Sequence, residues 1–173
     1  MRQITDFTDI HTHRPDAGED AVICLPRLAP VPDSGYYSVG IHPWDTASAT
    51  EADFRWLEQA AQIENVVAIG ETGLDALRGA TLKEQEDIFL RHVALSETSG
   101  KPLIIHAVRT LGRIIELRRE IRPQSRWIIH GFRGKPEMAR QLLRAGIDIS
   151  IGAKYNPGVP EIVPPGHLFH ETD

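Results

Sequence analysis

Asp9-Ile10-His11-Thr12-His13, DIHTH in one-letter code, follows an apolar and β-branched run and sets two histidines two residues apart. In an extended strand side chains alternate between faces, so Asp9, His11 and His13 are expected to point the same way. One strand face then carries three polar groups, which calls for a chemical reason.

Working outward, short β-rich runs recur at TDFTDI (5–10), AVICLP (21–26), YYSVGI (36–41), VVAIG (66–70), PLIIH (102–106), WIIHGF (127–132), IDISIG (147–152) and HLFHET (167–172). Helical patterns separate several of them. Ser48 to Glu51 reads as a capping box ahead of EADFRWLEQAAQI, and Thr81 to Glu84 as another, ahead of a helix with Ile88, Phe89, His92 and Leu95 on one face and Gly100 as its stop. Thr110 is expected to cap a helix whose apolar side is Leu111, Ile114, Ile115 and Ile121, and a further helix runs from Pro136 to Gly146. Strands alternating with helices imply a parallel sheet with crossover connections.

Eight such strands predict an α/β fold, a compact TIM-like (β/α)8 barrel in one domain spanning 1–173. Barrels of this kind usually need more than about 200 residues, so this one is expected to be stripped down. No room exists for full helices between Arg14 and Asp20 or between Arg27 and Gly35, and Pro157 to Gly166 is too proline-rich for more than a turn. The final helix is missing after Asp173. Either a partner or a second copy in a homo-oligomer covers that side, or the chain is a truncated form.

With 41% hydrophobic residues the chain can bury a sizeable core, and a net charge of −5 offers no basic field for non-specific nucleic-acid or membrane binding. The single cysteine, Cys24, excludes an intrachain disulfide and reads as a small buried hydrophobe in a reducing cytosol. No apolar run approaches the length of a signal-peptide core or a membrane span, so a soluble, cytoplasmic protein is expected.

The chemistry lies where the strands end. VVAIGE finishes on Glu71, PLIIH on His106, WIIH on His130 and HLFHETD on Asp173, with His11 and His13 closing the first run. Counting back in twos, Val67 and Ile69 share the face of Glu71, Ile104 that of His106, Ile128 that of His130 and Phe169 that of Asp173. In a parallel barrel the C-terminal strand ends form the rim where catalytic groups sit. A lone strand-end histidine is more often structural than a ligand. Four imidazoles and two carboxylates converging from five strands instead favour a dinuclear metal site, because unpaired buried charges are costly. His92, His167 and His170 read as structural.

At these residues the sequence resembles the TatD family of metal-dependent deoxyribonucleases, within the amidohydrolase-like barrels. The matching stretches are DIHTH, VGIHPWD, AIGETGLD, KEQEDIF, KPLIIHAVR, IIHGFRG, ISIGAKYN and HLFHETD, in the family's order across essentially the whole chain. The resemblance implies that His11, His13 and Asp173 bind one metal, Glu71 bridges, and His106 and His130 bind the second. It implies that His42 contacts substrate phosphate. Asp9 reads as a group orienting a histidine. The chain departs from the family in having Gly131-Phe132-Arg133-Gly134 after His130, and in stopping before the family's last loop and helix.

The expected function is metal-dependent hydrolysis of phosphodiester bonds, as an exonuclease-type deoxyribonuclease. Two divalent ions lower the pKa of a bridging water and neutralise substrate charge, with Glu71 and Asp173 as catalytic carboxylates and Asp173 as proton acceptor. They would bring the net charge from −5 to about −1. Imidazole-rich ligation suits zinc, manganese, iron, cobalt or nickel better than magnesium, although the family is often described as magnesium-dependent. Arg109, Arg133 and Lys154, in predicted rim loops, are candidate phosphate contacts. Trp44, Phe132 and Tyr155 are candidate base-stacking side chains. Two other readings stand beside this one: a metal-dependent ester or amide hydrolase such as a D-aminoacyl-tRNA deacylase, and a non-catalytic metal-stabilised binding protein.

Overall fold

The computed structural model describes residues Met1–Asp173. Eight strands form one sheet in sequence order: β1 (Asp9–Thr12), β2 (Ala21–Cys24), β3 (Tyr36–Val39), β4 (Val66–Asp75), β5 (Leu103–Val108), β6 (Trp127–Ile129), β7 (Ile147–Ile151) and β8 (Leu168–His170). Every pairing is parallel. With β8 returning beside β1, this is a TIM-like (β/α)8 barrel. The helices are α1 (Glu51–Ala60), α2 (Leu82–Ser99), α3 (Leu111–Ile121), α4 (Pro136–Arg144) and the short α5 (Gly158–Ile162). As expected, no helix joins β1 to β2 or β2 to β3, and only five helical residues precede β8.

Two apolar layers hold the barrel. Ile10, Val22, Val67, Ile104, Ile128 and Phe169 fill the interior, where Ile4 and Phe7 join them. Ile23, Val39, Ile69, Leu103, Ile105, Trp127, Ile129 and Ile149 face the helices and meet Phe54, Leu57, Phe89, Ile114, Ile115 and Leu142. Burying a side chain of that size stabilises by about 1.5–3 kcal/mol, and the fully buried Phe89 and Trp127 also meet edge to face at 5.4 Å.

Local chemistry moved several boundaries. Of TDFTDI only Asp9 and Ile10 are strand, at the start of β1: Ile4–Asp6 makes a 3₁₀ turn, with the Asp6 carboxylate accepting from Gln3 N–H at 2.7 Å. HLFHET and WIIHGF supply only three strand residues each. The cap of α1 is Thr50, whose N–H donates to Asp53 at 2.7 Å, because Pro43–Ser48 is already a 3₁₀ turn and displaces the expected Ser48–Glu51 box. Thr81 and Gly100 bound α2 as expected. Thr110 precedes α3 but donates its hydroxyl to Leu74 O at 2.8 Å instead of capping, and Ile121 lies exposed. β4 runs five residues past its expected end. Gly73 permits this, since a Cβ there would lie 1.9 Å from His106 O, opposite it in β5.

Strict alternation fails at two functional strands. β1 slips register against β2 between Asp9 and Thr12, and β4 slips against β5 between Ile69 and Thr72. Ile10 packs in the interior, yet its neighbour His11 reaches the centre too; Val67 is interior, whereas Ile69 belongs to the outer layer. The expected shared faces of Asp9 with His11 and of Ile69 with Glu71 are therefore corrected. The extra residue of a bulge re-aims the side chains that follow it.

The seam between β8 and β1 is closed through Asp9. Its carboxylate accepts from Thr172 N–H at 3.1 Å, from the Thr172 hydroxyl, and from His11 N–H at 3.2 Å, while Thr172 N–H also approaches His11 O at 3.3 Å. Asp9 thus holds backbone and a hydroxyl, not an imidazole as expected. Replacing it with alanine strands these donors in a half-buried seam, so Asp9→Ala should lower unfolding free energy by about 2 kcal/mol. Urea denaturation of the two proteins measures this; an unchanged midpoint would show that the seam holds without it.

Candidate metal centre

Glu71 is the hub. Left over at the β4 bulge, it is 4% exposed, and its two oxygens face different partners. Oε1 lies 2.9 Å from His106 Nδ1, 2.7 Å from His130 Nε2 and 3.0 Å from His42 Nε2. Oε2 lies 3.3 Å from His11 Nε2 and 3.4 Å from His13 Nε2. Asp173 Oδ1 completes the second side, 3.5 Å from His11 Nε2 and 3.2 Å from His13 Nε2. Expected ligands from five separate strand ends are thus brought together.

The donor set fits cations. The His11 side chain is fully buried, and neither ring nitrogen makes a hydrogen bond, because Glu71 Oε2 is close but not aligned; Glu171 Oε2 is buried without a partner too. Such orphaned groups are costly unless something satisfies them. His11, His13 and Asp173 form one group of converging ligand atoms; His11, Glu71 and His130, and His42, Glu71 and His106, form others. One carboxylate between two sets of imidazoles can hold two cations.

The charges are tightly coupled. Burial alone would push the Glu71 carboxyl up, but the ring nitrogens of His106, His11, His13 and His130 close to its oxygens hold it far below the usual carboxylate range. Asp173 is held well below its ordinary value by His11 and His13. In return, hydrogen bonds to Asp173 and Glu71 raise His13 to about 9. Burial works against a charged His130, yet Glu171 and Glu71 raise it to about 10.

Two acidic residues were missed in the sequence. Asp75 Oδ2 accepts from His106 Nε2 at 2.8 Å and from Trp44 Nε1 at 2.7 Å, so His106 turns Nδ1 toward Glu71. Glu171 Oε1 lies 3.3 Å from His130 Nδ1 and orients that ring likewise. Both follow the period of two, Asp75 four residues after Glu71 and Glu171 two after Phe169.

A cleft of about 1000 Å³ opens over the cluster, and His13, His42, Trp44, Glu71, His106, His130, Arg133 and Asp173 are among the residues that line it. Of the expected substrate contacts, His42 and Arg133 reach it, whereas Arg109 and Lys154 are exposed and lie outside its lining. Phe132 is buried in the outer core and Tyr155 is exposed elsewhere, which leaves Trp44 as the rim aromatic. Cys24 lines the cleft near His13 and Glu71, with its thiol pushed up to about 12 by burial. His92 is structural, as expected: Nε2 accepts from Ile41 N–H at 2.9 Å, Nδ1 donates to Ile88 O at 2.8 Å, and burial lowers it to about 4. His167 pairs with Asp148 at 2.7 Å. No helix is long and apolar enough to cross a membrane.

Comparison with known proteins places the chain in a family and a fold. The family model described as "TatD related DNase" matches residues 9–173. The chain is 31% identical over 147 residues to the uncharacterized metal-dependent hydrolase YabD of Bacillus subtilis, covering 80% of this chain and 58% of that protein. It is 34% identical over 130 residues to the 3'-5' ssDNA/RNA exonuclease TatD of Musicola paradisiaca, covering 72% of this chain and 48% of that protein. The chain thus spans about half the length of these relatives. The crystal structure of the TatD homologue YjjV from Escherichia coli superposes with a TM-score of 0.81 at 22% identity, covering 99% of this chain and 80% of that one, and so shares the fold. From the first strand through the final Glu-Thr-Asp, this chain belongs to the TatD-related DNase family.

Proposed function

We propose that the chain hydrolyses phosphodiester bonds at the ends of nucleic-acid strands, using a dinuclear metal centre. The observation that carries this reading is the division of Glu71, one oxygen toward His106 and His130 and the other toward His11, His13 and Asp173. Exonuclease activity on single strands is what the name of the Musicola relative describes. Divalent ions, when bound, would activate water near neutral pH and neutralise the charge of the phosphodiester.

The chain's own residues do the rest. Asp173 is ionised and partly open to the cleft, placed to orient the attacking water and take its proton. Trp44 backbone N–H donates to His42 Nδ1 at 3.1 Å, which leaves the proton on Nε2, facing Glu71 Oε1 at 3.0 Å, where an incoming phosphate oxygen would compete for it. Arg133 brings a cation to the same cleft. Asp75 and Glu171 keep His106 and His130 in register. Asp9 supports the segment carrying His11 and Thr172. A lone cysteine supports the cytoplasm as the working compartment.

Metal-stripped protein resupplied with manganese, zinc or magnesium should trim short single-stranded DNA, and Glu71→Ala should reduce this to background. Wild-type protein that binds metal and cleaves an ester but no phosphodiester would overturn the nuclease reading. Asp75→Asn should lower metal affinity about 10- to 100-fold, measured by chelator competition.

Metal must displace the protons held on His13 and His130. Its affinity should therefore climb as pH rises toward 9, by about tenfold per unit for each proton released. In the metal-free protein both pKa values lie above the ordinary 6.5, so their ion pairs stabilise fully below that pH and lose their contribution as pH rises through about 9 and 10. Denaturation of the metal-free protein should be easier at pH 10 than at pH 7.

A further inference from the structure

Trp44 is 49% exposed on the rim of the cleft, unusual for so large an apolar ring. It is nevertheless firmly held. Its indole N–H donates to Asp75 Oδ2, the same oxygen that accepts from His106. Its ring lies edge to face with His42 at 4.7 Å, and the Arg78 guanidinium sits 4.3 Å from its centroid. Arg78 makes no salt bridge with any carboxylate.

The two loops that carry this pair are locked together. Gln85, buried on α2, accepts from Asp75 N–H at 2.7 Å and donates to Asp75 O at 3.0 Å, Arg78 O at 2.8 Å and Ala80 O at 2.8 Å. Thr46 Oγ1 accepts from Ala80 N–H at 3.0 Å. Gly79 has φ +91°, and a Cβ there would lie 2.1 Å from Pro43 O, next to Trp44. A rigid, exposed aromatic backed by a free cation loses little freedom when a flat ligand stacks on it.

We propose that Trp44, with Arg78 behind it, seats an unpaired nucleobase flanking the bond to be cleaved. This rests on the phosphodiesterase reading and adds to it where the base goes. The cleft beside Trp44 holds His42 and the Glu71 cluster, so a base on the indole leaves its attached phosphate facing them. In a duplex, stacked neighbours cover the faces of each base, so stacking on Trp44 favours a base that is free of them at a single-stranded end. Through Asp75, the ring that receives the base shares a hydrogen-bond acceptor with His106.

The test compares a short single strand with a matched strand lacking the bases of its terminal nucleotides. Cleavage is followed on ordinary linkages with manganese-reconstituted protein, and binding on phosphorothioate strands, which resist hydrolysis. The wild type should favour the complete strand by about tenfold. Trp44→Leu should bring the ratio near one, and Trp44→Phe, which keeps a ring without the indole N–H, should restore most of it. A wild-type ratio near one, a ratio unchanged in Trp44→Leu, or failure to bind either strand overturns the subsite. Base-dependent binding without cleavage keeps the subsite and sinks the phosphodiesterase reading; cleavage indifferent to the base does the reverse.

Discussion

A carboxylate at 4% exposure is tolerable only if positive charge surrounds it, and Glu71 is the constraint on which the upper half of this barrel depends. Four ring nitrogens besides that of His42 lie within 3.4 Å of its two oxygens, each from a different position on the rim. That demand explains why β1 and β4 give up regular pairing just where they reach the site. Below the bulges the strands build an apolar interior; above them the same strands must present polar groups in a fixed arrangement. The irregular residues convert one pattern to the other.

Around this hub, hydrogen bonds set the direction of three of the imidazoles. Asp75 and Glu171 bind the far nitrogens of His106 and His130, and Trp44 N–H caps His42. Gln85 in turn grips both backbone groups of Asp75 from α2. Helix, strand and side chain are therefore linked in one rigid path, so the site's geometry is a property of the barrel and not of a mobile loop.

Most of the architecture was legible in the sequence because a parallel barrel writes a strong pattern: β-branched runs, helical spacing between them, and chemistry at the strand ends. His106 and His130 follow that pattern without interruption, sharing faces with Ile104 and Ile128. Where reading failed, a tertiary demand overrode a local rule. Bulges hide from alternation, since nothing in VVAIGE says that Ile69 and Glu71 part company. Nothing in the sequence around Gly73 announces the His106 backbone that lies against it. Asp75 and Glu171 had the right spacing, but acids so near stronger motifs were passed over. Arg109 and Lys154 sit in the right loops and still lie outside the lining of the cleft, because loop position fixes neither direction nor reach.

The seam has a consequence for the chain as a polymer. Asp9 and Thr172 are 163 residues apart, and His11 and Asp173 meet beside them. Their contact closes a ring across a sequence separation of 163 residues, a long loop whose closure entropy must be overcome. That entropy grows only with the logarithm of loop length, so closing the full circle is little harder than closing half of it. A cation held by His11 and Asp173 would act as a clasp: it would favour the closed ring over open chains, much as a crosslink does, and would leave the ring able to reopen when the ion departs.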